Sequence, residues 1–418
     1  MTPAPRTTPR RALQIPAFRY LFSARLLTVL GNGIAPIALA FAVLDIGGSA
    51  ADLGLVVAAR SLFNVAFLLI GGVLADRYSR SRVMVLSSLV AALSQGAVAW
   101  LVLDGSANVM LLALLGTLNG AAAGIALPAS SALVPQTVPV HLRREANALL
   151  QLGIYSGTVI GASLGGILTS AVGPGWGLAI DALGFAASAP LYYAIRVGTI
   201  KAAEATSNIL QDLRDGWKEF ASRPWVWSVV VQFTLINAAF SGIVMVLGPV
   251  IADSAFGRTQ WGLIIAAQSI GLIVGSFLAL RWRPKRDLFI GVVLMAFCAV
   301  PTWLLGQAAP AHWLMAAFFC AGIVFGLFGV AWAQSLQTHI PAEKLARVYA
   351  WDAMGSFIAI PVGELAAGPL AMHFGSETVL TTSALVVILA CIGAGLVPAI
   401  RRLESAPQVK ASGSGLSS

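Results

Sequence analysis

The chain has 418 residues, of which 58% are hydrophobic and 10% are charged, and its formal net charge is +9. Soluble domains carry about 25% charged residues, so this shortfall leaves no room for a folded soluble domain. The mean hydropathy of +0.85 instead indicates that most of the surface contacts lipid.

Twelve apolar runs are long enough to cross a bilayer, since a spanning helix needs about 20 apolar residues. We number them segments 1 to 12; they cover about 18–44, 53–75, 83–103, 108–134, 147–172, 176–195, 226–251, 261–280, 288–306, 312–338, 348–372 and 378–400. The pattern predicts an all-α integral membrane protein. We expect a tail at 1–17, a first half at 18–196, a linker at 197–225, a second half at 226–400 and a disordered tail at 401–418.

The basic residues lie almost entirely in one set of connections. With the N-terminus inside, nearly all of the 26 Lys and Arg residues fall in the tails, the linker and the turns on the same side. Arg258 lies outside, and Arg25 and Arg60 lie within segments. The positive-inside rule therefore predicts that both termini are cytoplasmic, and it explains the net charge without nucleic acid. We expect the membrane to be a bacterial inner membrane.

No residue pattern suggests a cofactor. Cys298, Cys320 and Cys391 lie singly within segments, the four His residues form no ligand cluster, and no GKS or GKT phosphate loop is present. We expect no cofactor, no metal and no enzyme activity. We also expect a monomer.

The two groups of six segments resemble each other. Residues 54–62 in segment 2 match residues 262–270 in segment 8, and the glycines of segments 4 and 5 match those of segments 10 and 11 in order. The halves are therefore two copies of one six-helix unit. Parallel repeats of this kind bind substrate near the membrane midplane, between the halves, and work by rocking one half against the other.

The linker contains a pattern typical of an amphipathic helix. Apolar residues recur at helical spacing opposite charged ones: Ile209, Leu210, Leu213, Trp217 and Phe220. This spacing predicts a helix on the cytoplasmic membrane surface. A structural strap is one interpretation, and a regulatory or partner-binding element is the other.

A basic turn follows segment 2, with Gly72, Asp76, Arg77, Arg80 and Arg82 at fixed spacing. It resembles the turn between helices 2 and 3 of the major facilitator superfamily, with Ser79 in place of the pattern's second Gly. The resemblance implies twelve helices in two pseudo-symmetric halves. It also implies a cytoplasmic gate, for which Asp352 in segment 11 is the expected partner of Arg77 or Arg80. Alternatively, the Arg residues only set topology.

Segment 5 carries Gly157, Gly161, Gly165 and Gly166, which resemble the glycine motif of antiporters in this family, with Ala162 in place of its Pro. The resemblance implies a pivot between the halves, and generic helix packing is the alternative. The segments around it are similar to the branch that holds drug and macrolide efflux pumps and the enterobactin exporter.

Charged residues within segments are costly and usually functional. Glu364, near the middle of segment 11, is a candidate proton carrier or site for a cationic substrate; the alternative is a carboxyl held neutral by hydrogen bonds. Asp181 and Arg60 form either a structural ion pair or a proton relay. The polar residue of segment 1 is Asn32, which cannot carry a proton, so coupling to protons would require Glu364 or Asp181.

The same family places its substrate cavity between segments 1, 4, 7 and 10. The resemblance therefore nominates amides and aromatics of these segments: Asn32, Asn119, Gln232, Phe233, Asn237, Phe240, Phe325, Trp332 and Gln334. Such a lining suits a bulky amphipathic substrate. We expect efflux of a lipophilic small molecule, such as an antibiotic or secondary metabolite, in exchange for protons. A siderophore exporter, an uptake permease and a non-transporting membrane sensor or scaffold are the alternatives.

Overall fold

The computed structural model describes residues 12–196, 209–282 and 284–404, with some side chains inside helices excepted. Every regular element in these ranges is helical. The longer helices are α1 (Pro16–Asp45), α2 (Ala50–Arg77), α3 (Arg80–Asp104), α4 (Val109–Thr137), α5 (Arg143–Ala171), α6 (Pro174–Tyr193), α7 (Ile209–Ala221), α8 (Pro224–Ile236), α9 (Val244–Ala255), α10 (Arg258–Arg281), α11 (Asp287–Leu294), α12 (Ala299–Gly306), α13 (Ala311–His339), α14 (Ala342–Phe357), α15 (Ala359–Phe374), α16 (Ser376–Leu396) and α17 (Pro398–Arg401).

Each predicted segment corresponds to helical structure. Segments 1 to 6 are α1 to α6, segment 7 is α8 and α9 joined by a π-helix at Asn237–Ile243, and segment 11 is α14 and α15. Segment 9 is α11 and α12, while segments 8, 10 and 12 are α10, α13 and α16. In the part of the chain that the structure describes, 11 of these spans are long and apolar enough to cross a membrane. The remaining one, α6, has 20 residues, but Asp181 and several Gly and Pro residues lower its hydropathy.

The two halves are built by the same close approach of glycine-bearing helices. In the first half, Cβ atoms added to Gly120 and Gly124 of α4 would collide with the backbone of Arg60 and Asn64 in α2. In the second half, α10 and α13 meet in the same way through Gly271, Gly275 and Gly322. Small residues let helix backbones approach in lipid, where no hydrophobic effect drives association. The all-α fold of two six-helix halves is confirmed.

The two ends of the bundle differ. We call the end with residue 12, the α2–α3 turn and α7 the terminal end, and the opposite end the far end. At the far end α5 crosses α10, where a Cβ on Gly166 would lie 3.0 Å from the Cα of Gly262, and α15 packs on α2. The far-end helix α9 also contacts α1 and α2, whereas α8 and α14 pack mainly within the second half. The halves are therefore closed at the far end and separate towards the terminal end.

Segments 7 and 11 lose regular helical structure at the same level. The π-helix Asn237–Ile243 follows α8, and α14 ends at Phe357 two residues before α15 begins. Pro361 lacks the N–H that would otherwise bond to the Phe357 carbonyl. Two side chains of segment 7 bond to the freed end of α14: the Asn237 amide donates to the Ser356 carbonyl (2.8 Å) and the Thr234 hydroxyl to that of Gly355 (2.9 Å).

The linker helix α7 packs against the second half at the terminal end. Phe220 is buried, and the Trp217 ring lies 4.9 Å from that of Trp351 in α14. Glu219 accepts hydrogen bonds from Arg223 and Lys344, each at 2.6 Å. The structure thus has a helix, α7, at the position where the sequence predicts an amphipathic one. The rest of the predicted linker, 197–208, and the tail regions 1–11 and 405–418 lie outside the described residues.

Candidate functional site

Arg60, which is half-buried, lies at the centre of a polar cluster where the two halves meet. It lies on α2 where Gly116 and Gly120 of α4 let the two helix backbones approach closely. Its Nε donates to Asn119 Oδ1 at 2.9 Å, and one terminal nitrogen lies 3.5 Å from Asn32 Oδ1. Asn119 is buried, whereas Asn32 is exposed within α1, so the cluster reaches the space between the halves.

Two buried carboxylates flank Arg60, one from each half. Asp181 of α6 is 2% exposed and lies against Gly31 of α1, and its Oδ1 has no hydrogen-bond partner. Glu364 of α15 is 4% exposed and its Oε2 is also unpartnered. Glu364 bonds to Ser61, the neighbour of Arg60 in α2, and Asp181 lies against Gly31, the neighbour of Asn32 in α1, so both carboxylates lie near Arg60. Among the described residues neither of them forms an ion pair with it, so the interaction is through space.

Ser61 joins the halves at this cluster, and sequence reasoning did not find it. Its hydroxyl donates to Glu364 Oε1 at 3.0 Å, from α2 to α15. A Cβ on Gly54, two turns earlier in α2, would collide with the Glu364 carbonyl, so α2 approaches α15 closely there. The internal repeat aligns Ser61 with Ser269, but Ser269 bonds only to Ile265 of its own helix. The sequence shows a Ser at both repeat positions, so it does not indicate that Ser61 bonds to the other half while Ser269 bonds to its own helix.

The cluster has the chemistry of a proton-binding site. A buried ionised carboxylate without hydrogen bonds is costly, and the unpartnered oxygens of Asp181 and Glu364 can each accept a proton. Arg60 keeps its charge throughout, because a guanidinium is not deprotonated in proteins. The structure thus brings the three proton-coupling candidates of the sequence together, and adds Ser61 and the two amides.

Aromatic rings of segments 7 and 10, both in the second half, form one continuous wall. Phe233 stacks on Phe328 with centroids 4.5 Å apart, and Phe325 lies 5.6 Å from Phe240. Phe233, Phe325 and Trp332 are half-buried, and Gln334 is exposed. With the halves closed at the far end, Phe233, Phe325, Trp332 and Gln334 therefore keep exposed surface that a ligand could contact.

Three of the nominated cavity residues lie instead inside the second half. Gln232 is 1% exposed and donates to the Val292 carbonyl (3.0 Å) and the Cys391 sulfur (3.1 Å). Asn237 bonds to the broken end of α14, and Phe240 is 1% exposed among other rings. Helical periodicity turns these positions away from the space between the halves, because segment 7 also packs against segments 9, 11 and 12.

Asp352, the expected gate partner of Arg77 or Arg80, forms its hydrogen bonds within its own half. Asp352 of α14 accepts hydrogen bonds from the Trp332 indole (3.0 Å) and Ser356 (3.3 Å), both in its own half. Arg77 and Arg82 are exposed, and the Asp76 side chain lies outside the described ones. Of the described pairs, none links Arg77 to Asp352. Separation of the halves at the terminal end explains this, since Gly72, Arg77 and Arg80 belong to the other half.

The glycine motif of α5 faces two different helices. Gly157, Gly161 and Gly165 pack against α1, where a Cβ on Gly161 would lie 2.9 Å from the Cα of Gly33. Gly166 faces α10 of the other half, as its approach to Gly262 shows. Gly157, Gly161 and Gly165 therefore pack within the first half, whereas the backbone at Ala162 and Gly166 lies against Gly262 of the partner half.

Metal-ligating residues do not gather in the described part of the chain, where no group of three or more His, Cys, Asp or Glu is suited to a metal ion. Cys298 and Cys391 are buried free thiols, and Cys320 is partly buried.

Comparison with known proteins identifies the family. Enterobactin exporter EntS of Escherichia coli is 27% identical over 419 residues, covering 96% of each chain. Multidrug efflux pump Tap of Mycolicibacterium fortuitum is 25% identical over 406 residues, covering 94% of this chain and 98% of the relative. The solved structure of nucleoside transporter NupG aligns with a TM-score of 0.72 at 15% identity, covering 93% and 99% of the two chains. The Major Facilitator Superfamily model matches residues 21–364, and the chain belongs to that family of membrane transporters.

Proposed function

We propose that the protein exports a lipophilic or amphipathic small molecule across the cytoplasmic membrane by proton antiport. The observation that carries the proposal is the Arg60 cluster, in which a carboxylate from each half, each with one unpartnered oxygen, flanks a fixed positive charge at the junction of the halves. The names of the relatives, an enterobactin exporter and a multidrug efflux pump, support the outward direction. The half-buried rings of the wall, Phe233, Phe325 and Trp332, suit an apolar cargo.

Proton exchange and rocking of the halves are connected through Glu364. In the state closed at the far end, Glu364 accepts a hydrogen bond from Ser61 of the other half. Proton binding there changes the charge at the contact that closes the far end. We place the terminal end in the cytoplasm on the count of Lys and Arg residues. Asp352, Arg77 and Arg80 would then meet when the terminal end closes, as the family resemblance implies, and Asp76 and Arg82 belong to the same proposed gate.

The test is efflux from everted vesicles across a panel of lipophilic compounds, with and without a protonophore. We expect at least one compound to accumulate in a protonophore-sensitive way. No such transport for any compound would overturn the antiport proposal.

Isosteric variants separate the two carboxylates. Glu364→Gln and Asp181→Asn retain size and hydrogen-bonding capacity but cannot titrate. The variant of the proton carrier should lose proton-driven accumulation, down to the level of protonophore-treated wild type, yet keep substrate counterflow, which needs no proton. Glu377→Gln is the matched control, since Glu377 lies at the far end and bonds to Gln307. Wild-type accumulation by both variants would remove the cluster from coupling.

Export of a siderophore is the second candidate, favoured by the enterobactin exporters among the relatives. Arg60 is half-buried and offers a cation for an anionic ligand. Enterobactin therefore belongs in the vesicle panel, with Arg60→Gln measured beside the wild type. Transport of enterobactin without transport of the other compounds would select this candidate.

A further inference from the structure

A cavity of about 530 Å³ lies at the terminal end between α7, α8 and α14. We call it the α7 pocket. Trp217 and Phe220 of α7, Trp227 and Val231 of α8, and Trp351 and Met354 of α14 line it. None of the residues assigned to the Arg60 cluster, the aromatic wall or the gate is among its lining, so it is distinct from the transport site.

The pocket opens towards lipid rather than towards the space between the halves. Helical periodicity divides α8 into faces: Gln232 contacts segments 9 and 12, Phe233 contacts segment 10, and Thr234 contacts segment 11. The remaining face carries Trp227, Val231 and Leu235, which are 42%, 51% and 41% exposed. An exposed face that is wholly apolar, on a membrane-spanning segment, contacts acyl chains.

The closed side of the pocket lies at the level of the membrane interface. The helix α7 ends at Ala221 and α8 begins at Pro224, so α7 covers the pocket where the span emerges. Trp side chains are enriched at this depth because one edge is apolar and the indole N–H is polar. Three Trp rings around one apolar cavity favour a chain that runs from the interface into the bilayer.

Three basic groups lie on α7 or next to it, at the interfacial side of the pocket. Arg214 is exposed and shares a helical face with Trp217 and Ala221, because residues three, four and seven apart align. Arg223 and Lys344 share the single carboxylate of Glu219, so this trio carries a net positive charge. The apolar interior and cationic rim together match one ligand, an acyl chain attached to an anionic headgroup.

We propose that the α7 pocket binds one acyl chain of an anionic phospholipid from the terminal-end leaflet, with Arg214 facing the headgroup. The bound chain fills the groove beside the break between α14 and α15, and it fastens α7 to segments 7 and 11. This binding is independent of the identity of the transported molecule.

The test is binding of phosphatidylglycerol to delipidated protein, titrated and followed by native mass spectrometry. Val231→Trp places a ring in the pocket from its exposed side. Each excluded methylene lowers affinity about fourfold, so two lower it about 15-fold. Leu235→Trp is the matched control, since Leu235 lies one turn further along the same face but does not line the pocket, and we expect its affinity to equal the wild type's. Met354→Trp is a second pocket-filling variant, for use if Val231→Trp does not fold.

The headgroup is tested separately. Wild type should prefer phosphatidylglycerol to phosphatidylethanolamine, and Arg214→Gln should reduce that preference about fivefold. Equal phosphatidylglycerol affinity in the wild type and both pocket-filling variants would overturn the proposal, as would equal binding of the two lipids by wild type. Loss of a transported compound's binding in Val231→Trp, with unchanged lipid binding, would assign the pocket to substrate instead.

Discussion

Arg60 determines the charge balance of the polar cluster. With both neighbouring carboxylates ionised, the three groups carry a net charge of −1; with one proton bound they are neutral, and with two they carry +1. Uncompensated charge is costly at membrane depth, so the singly protonated cluster is the most easily buried. The two carboxylates belong to different halves. The single proton therefore neutralises either Asp181 of the first half or Glu364 of the second, and the other carboxylate stays ionised.

Gly31 is the residue that makes room for Asp181. A Cβ there would overlap Asp181 Oδ1 and lie 2.9 Å from the Asp181 Cα. We predict that Gly31→Ala lowers the stability of the purified protein by about 1–3 kcal/mol, the usual cost of overpacking, measured by thermal unfolding in detergent.

Gly329→Ala is the control for this substitution. Gly329 lies within α13, and a Cβ there has no neighbour within 4 Å. Replacing a helical Gly by Ala in open space stabilises a helix by roughly 0.5–1 kcal/mol. A Gly31→Ala protein as stable as Gly329→Ala would show that α1 and α6 do not approach as closely as described.

The sequence was sufficient to nominate Arg60, Asp181 and Glu364, because a charge inside an apolar run is conspicuous. It was not sufficient for Ser61. A Ser in a span usually bonds to its own helix, as Ser269 does, and only the approach of α2 to α15 gives Ser61 a different acceptor. Two of the nominated cavity amides lie elsewhere for the converse reason: Gln232 and Asn237 are polar, but their helical positions direct them into the second half.

At the scale of elements, α7 is held by a carboxylate shared between two cations. Hydrogen bonds from Lys344 and Arg223 lower the pKa of Glu219 below its ordinary value of 4.5. A lowered pKa means that the ionised form stabilises the docked helix. That contribution is complete above about pH 4.5 and is lost as the pH falls through the lowered value.

We predict that Glu219→Gln loosens α7 at neutral pH. The amide cannot pair with either cation, so the α7 amides should exchange hydrogen faster than in wild type, as measured by mass spectrometry. Acidification below the Glu219 pKa should bring the wild type towards the variant, while the variant changes less. Glu404→Gln is the control, because Glu404 is an exposed carboxylate that follows α17. Identical α7 exchange in Glu219→Gln and wild type would contradict the prediction.

The spans themselves could be predicted because each is an apolar run of sufficient length. Their irregularities could not. The break after Phe357 has a local cause in Pro361, yet Pro369 lies inside α15 without ending it. The π-helix at Asn237–Ile243 contains no proline. It depends on the pairing of Asn237 and Thr234 with α14, which is a tertiary contact between segments far apart in the chain.

At the scale of the whole molecule, the far end is held shut by an ion cluster between the halves. Arg258 donates to both oxygens of Asp45, at 3.0 and 2.5 Å, and to Asp253 at 2.8 Å. Its guanidinium also lies 4.9 Å from the centroid of the Phe41 ring. Arg258 is the basic residue that the positive-inside rule leaves in a connection predicted to lie outside the cytoplasm. The contact it makes between α1 and α10 gives it a structural role.

We predict that Asp45→Asn shifts the protein towards opening at the far end. The side chains of Arg258 and Asp45 are 23% and 38% exposed, so solvent screens the pair and its contribution is about 0.5–1 kcal/mol. That corresponds to a two- to fivefold change in the ratio of open to closed molecules, about as large as a surface pair allows. Spin labels at Ser106→Cys and His312→Cys, one on each half, would measure it as a longer-distance population by pulsed electron resonance. Asp253→Asn is the matched control, because Asp253 and Arg258 lie in the same half. Equal distance distributions for the two variants would show that the Asp45–Arg258 pair does not hold the far end closed.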